Sequence, residues 1–181
     1  KGYCGIDPRD DTRRLRETKT KPFPWYVLES LAFDTGYQAV VLHRLAHWFK
    51  RHRIPVLGPA IARFNQFLTG VDISPAAEIG PGLRISHGTG LVIGNAVRIG
   101  RDCLLLQGVT LGAPNTSRRA EMPTIGDRVI LGAGSVVIGN VSVGDDAFIG
   151  ALALISEDIP PGSKVIPKGG VEIRPRAAAR A

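Results

Sequence analysis

The sequence predicts a mainly β chain in which short strands wind into a three-sided solenoid, preceded by a short α-helical cap. Three observations predict this fold. An aliphatic residue followed by glycine recurs mostly at steps of six or a multiple of six, at Ile79-Gly80, Ile93-Gly94, Ile99-Gly100, Leu111-Gly112, Ile125-Gly126, Leu131-Gly132, Val143-Gly144 and Ile149-Gly150. Four residues after several of these aliphatic positions stands a smaller residue, at Val97, Cys103, Val129, Ser135, Ala147 and Ala153. The region is also dense in β-branched residues and glycine, which disfavour helix.

A hexapeptide that turns one large and one small residue inward suits a narrow coil of triangular cross-section. Three hexapeptides make one turn, and no single turn buries its inner face alone, so stacked turns share one core. A β-sandwich is the alternative for such a composition, but it does not need a fixed period of six. We expect the coil to occupy residues 71–165.

The segments around the coil differ in pattern. Residues 1–24 are polar, charged and interrupted by proline, which predicts a polar arm. Residues 25–70 show helical periodicity, with one helix from Tyr37 to His52, a break at Pro55, and a second helix from Val56 to Leu68 that ends at Gly70. Residues 166–181 form a tail with little pattern.

Composition limits the class of protein. The chain has 181 residues, 44% of them hydrophobic, which is enough for one core and a small accessory unit. Two cysteines, Cys4 and Cys103, make no disulfide framework, and Cys103 fills an inward slot of the coil, which indicates a reducing cytoplasm. We find no signal peptide and no apolar stretch of membrane-spanning length, so no membrane association is expected.

The net charge of +7 raises the question of nucleic-acid binding. Much of the basic excess lies at the two ends, and the chain has neither zinc-finger spacing nor an aromatic RNA-binding motif. Solvated tails, or attraction for a polyanionic cofactor, explain the charge more simply.

Three motifs carry a family resemblance. The stretches Gly70–Pro75 (GVDISP), Ile85–Gly94 (ISHGTGLVIG) and Leu106–Gly112 (LQGVTLG) resemble the serine acetyltransferase family of hexapeptide-repeat acyltransferases, over roughly residues 25–165. The resemblance implies a left-handed parallel β-helix, a homotrimer, acetyl-CoA as co-substrate and no metal. Handedness rests on the resemblance, because the general rule for parallel crossovers predicts a right-handed one. The family's longer helical domain, which pairs trimers, is mostly absent here.

His87 is the candidate general base. Acyl transfer to a hydroxyl or amine needs a base for the acceptor's proton, and His87 is the sole histidine of the predicted coil. From the residues alone, a single histidine in a glycine-rich turn is more often structural than catalytic. The resemblance assigns His87 as the base and Asp72, fifteen residues earlier and nearly one coil back, as the carboxylate that orients it.

Other positions depart from the family's pattern. Its acidic residue before the catalytic histidine is Ser86 here, its second histidine on the projecting loop is Met122, and a helical-domain aspartate falls near Lys21. Because these losses remove polar contacts to serine, we expect acetyl transfer to another small hydroxyl or amine acceptor. An ordinary serine O-acetyltransferase and a non-catalytic trimeric scaffold are the alternatives.

The fourteen-residue step from Leu111 to Ile125 predicts a loop over residues 113–124 that leaves the coil. Its Arg118 and Arg119 either bind a carboxylate or phosphate of the acceptor or are solvated charges. The resemblance places the CoA cleft between adjacent subunits, along small residues that match Ala113, Gly132, Ala133, Gly134 and Ala151. Lys164 and Lys168 are candidates to bind the CoA phosphates, although the family's usual closing motif is not reproduced around them. His43 and His47 have a metal-binding spacing on one helix, but no third ligand is near, which favours packing.

Overall fold

A computed structural model describes residues 23–168; the predicted arm before residue 23, Cys4 and the tail beyond residue 168 lie outside it. The described chain begins with three helices, α1 (Phe23–Phe33), α2 (Thr35–Arg51) and α3 (Leu57–Thr69). The two predicted helices correspond to α2 and α3, within two residues at each end. Helix α1 was not distinguished as a separate element by its pattern.

Every strand after α3 belongs to one of three parallel sheets, and from β1 to β13 successive strands belong to the first, second and third sheets in turn. The first sheet contains β1 (Asp72–Ile73), β4 (Val92–Ile93), β7 (Thr110–Gly112), β10 (Val136–Ile138) and β13 (Leu154–Ile155). The second contains β2 (Glu78–Ile79), β5 (Arg98–Ile99), β8 (Thr124–Ile125) and β11 (Ser142–Val143). The third contains β3 (Arg84–Ser86), β6 (Leu104–Leu106), β9 (Ile130–Leu131), β12 (Phe148–Ile149) and β14 (Lys164–Val165).

The hexapeptide positions form the core of the coil. The large inward residues stack in register from coil to coil, as in the ladder of Ile73, Ile93 and Leu111 in the first sheet, and each is at most 1% exposed. The smaller inward residues line the corners, and Cys103 is fully buried there, as predicted. The predicted fold class, a mainly β parallel β-helix with a short helical cap, is confirmed.

The repeat requires glycine, for steric reasons, at the corners that lead from the second sheet to the third. A Cβ placed on Gly80 would lie 2.6 Å from the carbonyl carbon of Gly100, and one placed on Gly100 would lie 2.5 Å from the carbonyl oxygen of Gly126. Successive coils therefore approach backbone to backbone at this corner, and only glycine fits.

Helix α2 lies across the open end of the first coil. Asp34 begins the helix by accepting a hydrogen bond from the Tyr37 amide (3.0 Å). At one end of α2, Gly36 packs directly on Ile85 of β3. Further along, the Arg44 guanidinium donates to the carbonyl oxygens of Ile79 and Gly80, and it thereby satisfies backbone acceptors at the end of the solenoid.

The two histidines of α2 have separate environments. His43 is buried, and this burial, followed by the charge of Arg44 and then His47, lowers its pKa to about 3. His47 lies 2.9 Å from the Pro75 carbonyl oxygen through Nδ1. His43 is therefore a neutral packing residue, whereas His47 helps to attach α2 to the coil.

Within residues 23–168 no helix has both the length and the apolar character that crossing a bilayer requires.

Candidate active site

The corner that carries His87 is longer than its counterparts. Between the third and first sheets, Ile93 comes eight positions after Ile85, whereas Leu111 comes six positions after Leu105 on the next coil. The two additional residues widen the turn after β3. His87 is exposed in this turn and adopts a left-handed backbone conformation (φ 56°), which is uncommon for a residue with a side chain.

The glycines around His87 fix the shape of the turn. Gly88 is buried, and a Cβ there would lie 2.6 Å from the Val71 side chain and 2.8 Å from that of Ile85. Gly90 has φ 75°, and its amide donates to the Gly70 carbonyl oxygen (3.0 Å). The chain is thus drawn into the core on one side of His87, and the imidazole is left outside, with no hydrogen-bond partner among the residues the structure describes.

Asp72 lies in β1, two residues after Gly70, whose carbonyl oxygen accepts the hydrogen bond from Gly90 of the His87 turn. Its carboxylate is exposed and accepts a hydrogen bond from the Gln66 side-chain amide at 3.3 Å. No hydrogen bond between Asp72 and His87 is present in this part of the chain, so their direct contact stays a prediction. The two residues do border the same turn, because Gly70, two positions before Asp72, is bonded to Gly90, three positions after His87.

Most of the predicted CoA residues lie along the same corner, on later coils. A chain of backbone hydrogen bonds links the coils there, from Gly108 to Thr89 (3.1 Å), from Gly134 to Gln107 (2.8 Å) and from Leu152 to Ala133 (2.9 Å). This line is hereafter the corner column, and it contains Thr89, Gly90, Gln107, Gly108, Gly132, Ala133, Gly134, Ala151 and Leu152. Four predicted cofactor residues, Gly132, Ala133, Gly134 and Ala151, therefore share one edge of the solenoid with His87.

Ala113 and the loop lie at the corner between the first and second sheets, at the opposite end of the first-sheet strands from the corner column. The loop leaves the coil after β7 and contains a short 3₁₀ helix, Thr116–Arg118, before the chain rejoins at β8. Within one chain, this places Ala113, Arg118, Arg119 and Met122 apart from the corner column. A site that uses both edges needs the loop edge of one subunit to meet the corner column of another.

The loop arginines have different environments. Arg118 donates to Glu121 through Nε (2.6 Å), and its Nη2 lies 2.5 Å from the other carboxylate oxygen, which raises the pKa of Arg118 above its ordinary value. Arg119 is exposed. Arg118 thus already has a carboxylate partner within the loop, whereas Arg119 extends into solvent.

Met122 and Ser86 are the positions at which the family resemblance predicts the loss of ionisable groups. Met122 is partly buried and packs against the core of the solenoid. Ser86 ends β3, is half-buried, and pairs with Leu106 of the neighbouring coil. Neither side chain supplies a charge to the turn of His87.

The two predicted phosphate-binding lysines lie at the far end of the coil. Lys164 is exposed in β14, with Nζ 5.5 Å from the centre of the Phe148 ring. Lys168 is exposed at the end of the described residues. Both amino groups are accessible to a ligand phosphate.

Sequence reasoning missed three residues near the candidate site. Gln66 of α3 donates a hydrogen bond to Asp72, and Arg63 donates one to Gln66. Gln107 follows β6 on the corner column. The lengthened step from Ile85 to Ile93 was visible in the sequence and indicates the wider turn. Nothing in the sequence pattern indicates the contact of Gln66, because it depends on how α3 ends against β1.

Comparison with known proteins agrees with this architecture. A family profile described as bacterial transferase hexapeptide (six repeats) matches residues 122–157. The serine acetyltransferase of Helicobacter pylori is 41% identical over 154 residues, which cover 85% of this chain and 88% of that protein. That of Synechococcus elongatus is 40% identical over 156 residues, covering 82% of this chain and 64% of the relative.

A solved structure gives the same result in three dimensions. The crystal structure of Neisseria gonorrhoeae serine acetyltransferase superposes with a TM-score of 0.79 at 32% identity, covering 94% of this chain and 65% of that one. The chain thus spans slightly under two thirds of the length of the Synechococcus and Neisseria proteins. Shared sequence over most of the chain, together with the shared solenoid, shows that it belongs to the serine acetyltransferase family.

Proposed function

We propose that the protein transfers the acetyl group of acetyl-CoA to the hydroxyl of serine, with His87 as the general base. Identity of 40 and 41% to proteins named serine acetyltransferase is the observation that carries this proposal. It favours serine over the different acceptor that the sequence predicts from Ser86 and Met122. The exposed imidazole of His87, held outside the core by its glycine-rich turn, supports the role of base.

The reaction needs one proton to move twice. The imidazole of His87 accepts the proton of the serine hydroxyl as the oxygen attacks the thioester carbonyl. The carbon–sulfur bond then breaks, and the imidazolium returns the proton to the CoA thiolate. Asp72, at the same turn, orients the ring and stabilises its protonated form.

Acetyl-CoA is proposed to lie along the corner column. Neighbouring strands are about 4.8 Å apart, so the three coils between His87 and Ala151 span about 14 Å. Gly132, Ala133, Gly134 and Ala151 present small side chains along this distance, which leaves room for an extended pantetheine arm. Lys164 and Lys168 are exposed beyond the far end of the corner column, which supports a role for their amino groups in binding the CoA phosphates.

A trimer is proposed because the outer faces of the sheets differ. The second sheet turns polar residues outward, including Glu78 and Arg98, whose side chains form an ion pair (3.3 Å). The first and third sheets and the corner between them expose apolar side chains, with Leu152 79% and Leu154 65% exposed and Phe148 38% exposed. Association through these faces buries apolar surface and brings a loop edge to a corner column. A solution mass three times 19.4 kDa supports this assembly, and a monomeric mass contradicts it.

A second candidate function is acetyl transfer to an acceptor that lacks serine's pair of charges. The observation that favours it is the packing of Met122 against the core, together with the uncharged Ser86. Neither side chain carries a charge, so a site built from them does not pair with the ammonium or carboxylate group of a zwitterion at these two positions. The cytoplasmic location expected from the cysteine content stays a prediction.

Thiol release from acetyl-CoA distinguishes the candidates. The purified protein is assayed with serine, threonine, ethanolamine and glycerate, with an acceptor-free reaction as the blank. Serine is expected to give the highest kcat/KM. If another acceptor is better by tenfold or more, and Ser86→Asp/Met122→His shifts the preference toward serine, the second candidate is correct. Absence of acetyl-CoA binding supports the scaffold alternative instead.

A further inference from the structure

We infer that Gln66 is a positioning residue for Asp72, held in place by Arg63; this inference rests on the proposed function. The three side chains form a line of hydrogen bonds from α3 to β1. Arg63 Nη1 donates to Gln66 Oε1 (2.8 Å), and Gln66 Nε2 donates to Asp72 Oδ2 (3.3 Å). The line ends on the carboxylate proposed to orient the general base.

The chemistry of the partners fixes the orientation of the Gln66 amide. A guanidinium group only donates hydrogen bonds, and an ionised carboxylate only accepts them. The amide therefore directs its oxygen toward Arg63 and its NH₂ group toward Asp72. The reversed amide would lose both bonds, so Arg63 makes Gln66 a dedicated donor to the carboxylate.

The end of α3 brings these residues together. Gly70 ends the helix in a left-handed conformation (φ 72°), and its amide donates to the Gln66 carbonyl oxygen (2.9 Å). The chain turns there and enters β1 two residues later. Gln66, on the last turn of the helix, consequently faces the first residue of the strand, while Arg63 lies one turn earlier on the same side.

The bond leaves part of the carboxylate available. Gln66 contacts one oxygen of Asp72, Oδ2, and within residues 23–168 the other oxygen has no hydrogen-bond partner, so it can accept from an imidazole N–H of the His87 turn. An exposed aspartate without this contact samples several rotamers, so each productive encounter with His87 requires ordering of the side chain. Gln66 reduces that ordering cost before the substrate binds.

A double-mutant cycle tests the inference. Gln66→Leu removes the donor at similar volume, and it is expected to lower kcat about tenfold while KM for acetyl-CoA changes less than about twofold. In an Asp72→Asn background the same change is expected to alter kcat less than about twofold, because Gln66 acts only through the carboxylate. Gln66→Glu places a second carboxylate, which cannot donate a hydrogen bond, beside Asp72. Its kcat is therefore expected to fall further than that of Gln66→Leu.

Gln38→Leu is the matched control. It removes a side-chain amide bond of the same kind, from Gln38 Nε2 to the Leu31 carbonyl oxygen (2.7 Å), within the helical cap. Its kcat is expected to equal that of the wild type. Thermal melts on all variants separate loss of folded protein from loss of turnover.

Two outcomes overturn the inference. Gln66→Leu can retain full kcat, or it can lose the same factor in both backgrounds, which indicates a structural role. The single variant Asp72→Asn tests the proposed function independently of Gln66. If this variant retains full activity, the proposed role of Asp72 is wrong. If Asp72→Asn is impaired and Gln66→Leu is not, only the role of Gln66 fails.

Discussion

Replacement of Gly36 by alanine tests how the helical cap meets the coil. Gly36 is in the first turn of α2, where a Cβ would lie 2.0 Å from the Ile85 carbonyl oxygen and 2.9 Å from its carbonyl carbon. Because Cβ atoms do not approach other atoms within 3.0 Å, the helix must move about 1 Å away from β3. The obstacle is backbone, so no side-chain rotation relieves it.

Local propensity and packing predict opposite signs for Gly36→Ala. Alanine in a helix is favoured over glycine by about 1 kcal/mol. Overpacking a well-filled contact costs typically about 1–3 kcal/mol, and a backbone obstacle belongs at the upper end. We therefore expect a net loss of about 2 kcal/mol in the free energy of unfolding, which lowers Tm by about 4–8 °C at this chain length.

Thermal unfolding followed by circular dichroism measures the effect, with Gly58→Ala as the matched control. A Cβ on Gly58 would lie 3.0 Å from the Ala46 carbonyl oxygen, a tight contact that a small shift relieves. Its Tm is expected to fall less than half as far. A Gly36→Ala protein as stable as the wild type, or more stable, would refute the described packing of α2 on β3.

Two further predictions concern buried polar groups. Ser135 Oγ is buried without a hydrogen-bond partner in the described structure, so Ser135→Ala is expected to raise the free energy of unfolding by about 1 kcal/mol in a denaturant titration. Exposed Ser156→Ala is the control, and destabilisation by Ser135→Ala would contradict the assignment. The buried, neutral His43 has a folded-state pKa of about 3, below its ordinary value of 6.5, so its protonation favours the unfolded chain as pH falls from 6.5 toward 3. Between pH 6.5 and 5 the free energy of unfolding is expected to fall by about 2 kcal/mol, and His43→Leu should abolish this fall. An equal pH dependence of stability in both proteins would show that His43 is not the cause.

The coil was predictable because its cause is local and repeats. Each hexapeptide places one large aliphatic residue inward, so Ile93 and Leu111 could be assigned to the core from spacing alone. The projecting loop followed from the same period, since a fourteen-residue step between Leu111 and Ile125 cannot remain in the coil. Handedness was not predictable in this way and came from family resemblance.

The candidate site was predictable only in part, because it combines residues from different elements. The motif around His87 predicts a candidate base, and only the lengthened step from Ile85 to Ile93 indicates the widened turn that exposes it. Gln66 escaped detection because its contact with Asp72 depends on the angle between α3 and β1. Gly36 has no sequence signal either, since a glycine near a helix start is equally compatible with a solvent-exposed turn.

The role of His87 as general base is tested most simply by the turnover of His87→Ala with acetyl-CoA and serine, compared with the wild-type chain at matched folded concentration. Removal of a general base typically costs about 10²–10⁴-fold, so a fall in kcat of that size is expected, with an unchanged melting curve and retained acetyl-CoA binding. A His87→Ala protein that releases CoA at the wild-type rate in the presence of serine would show that this imidazole does not take the acceptor's proton.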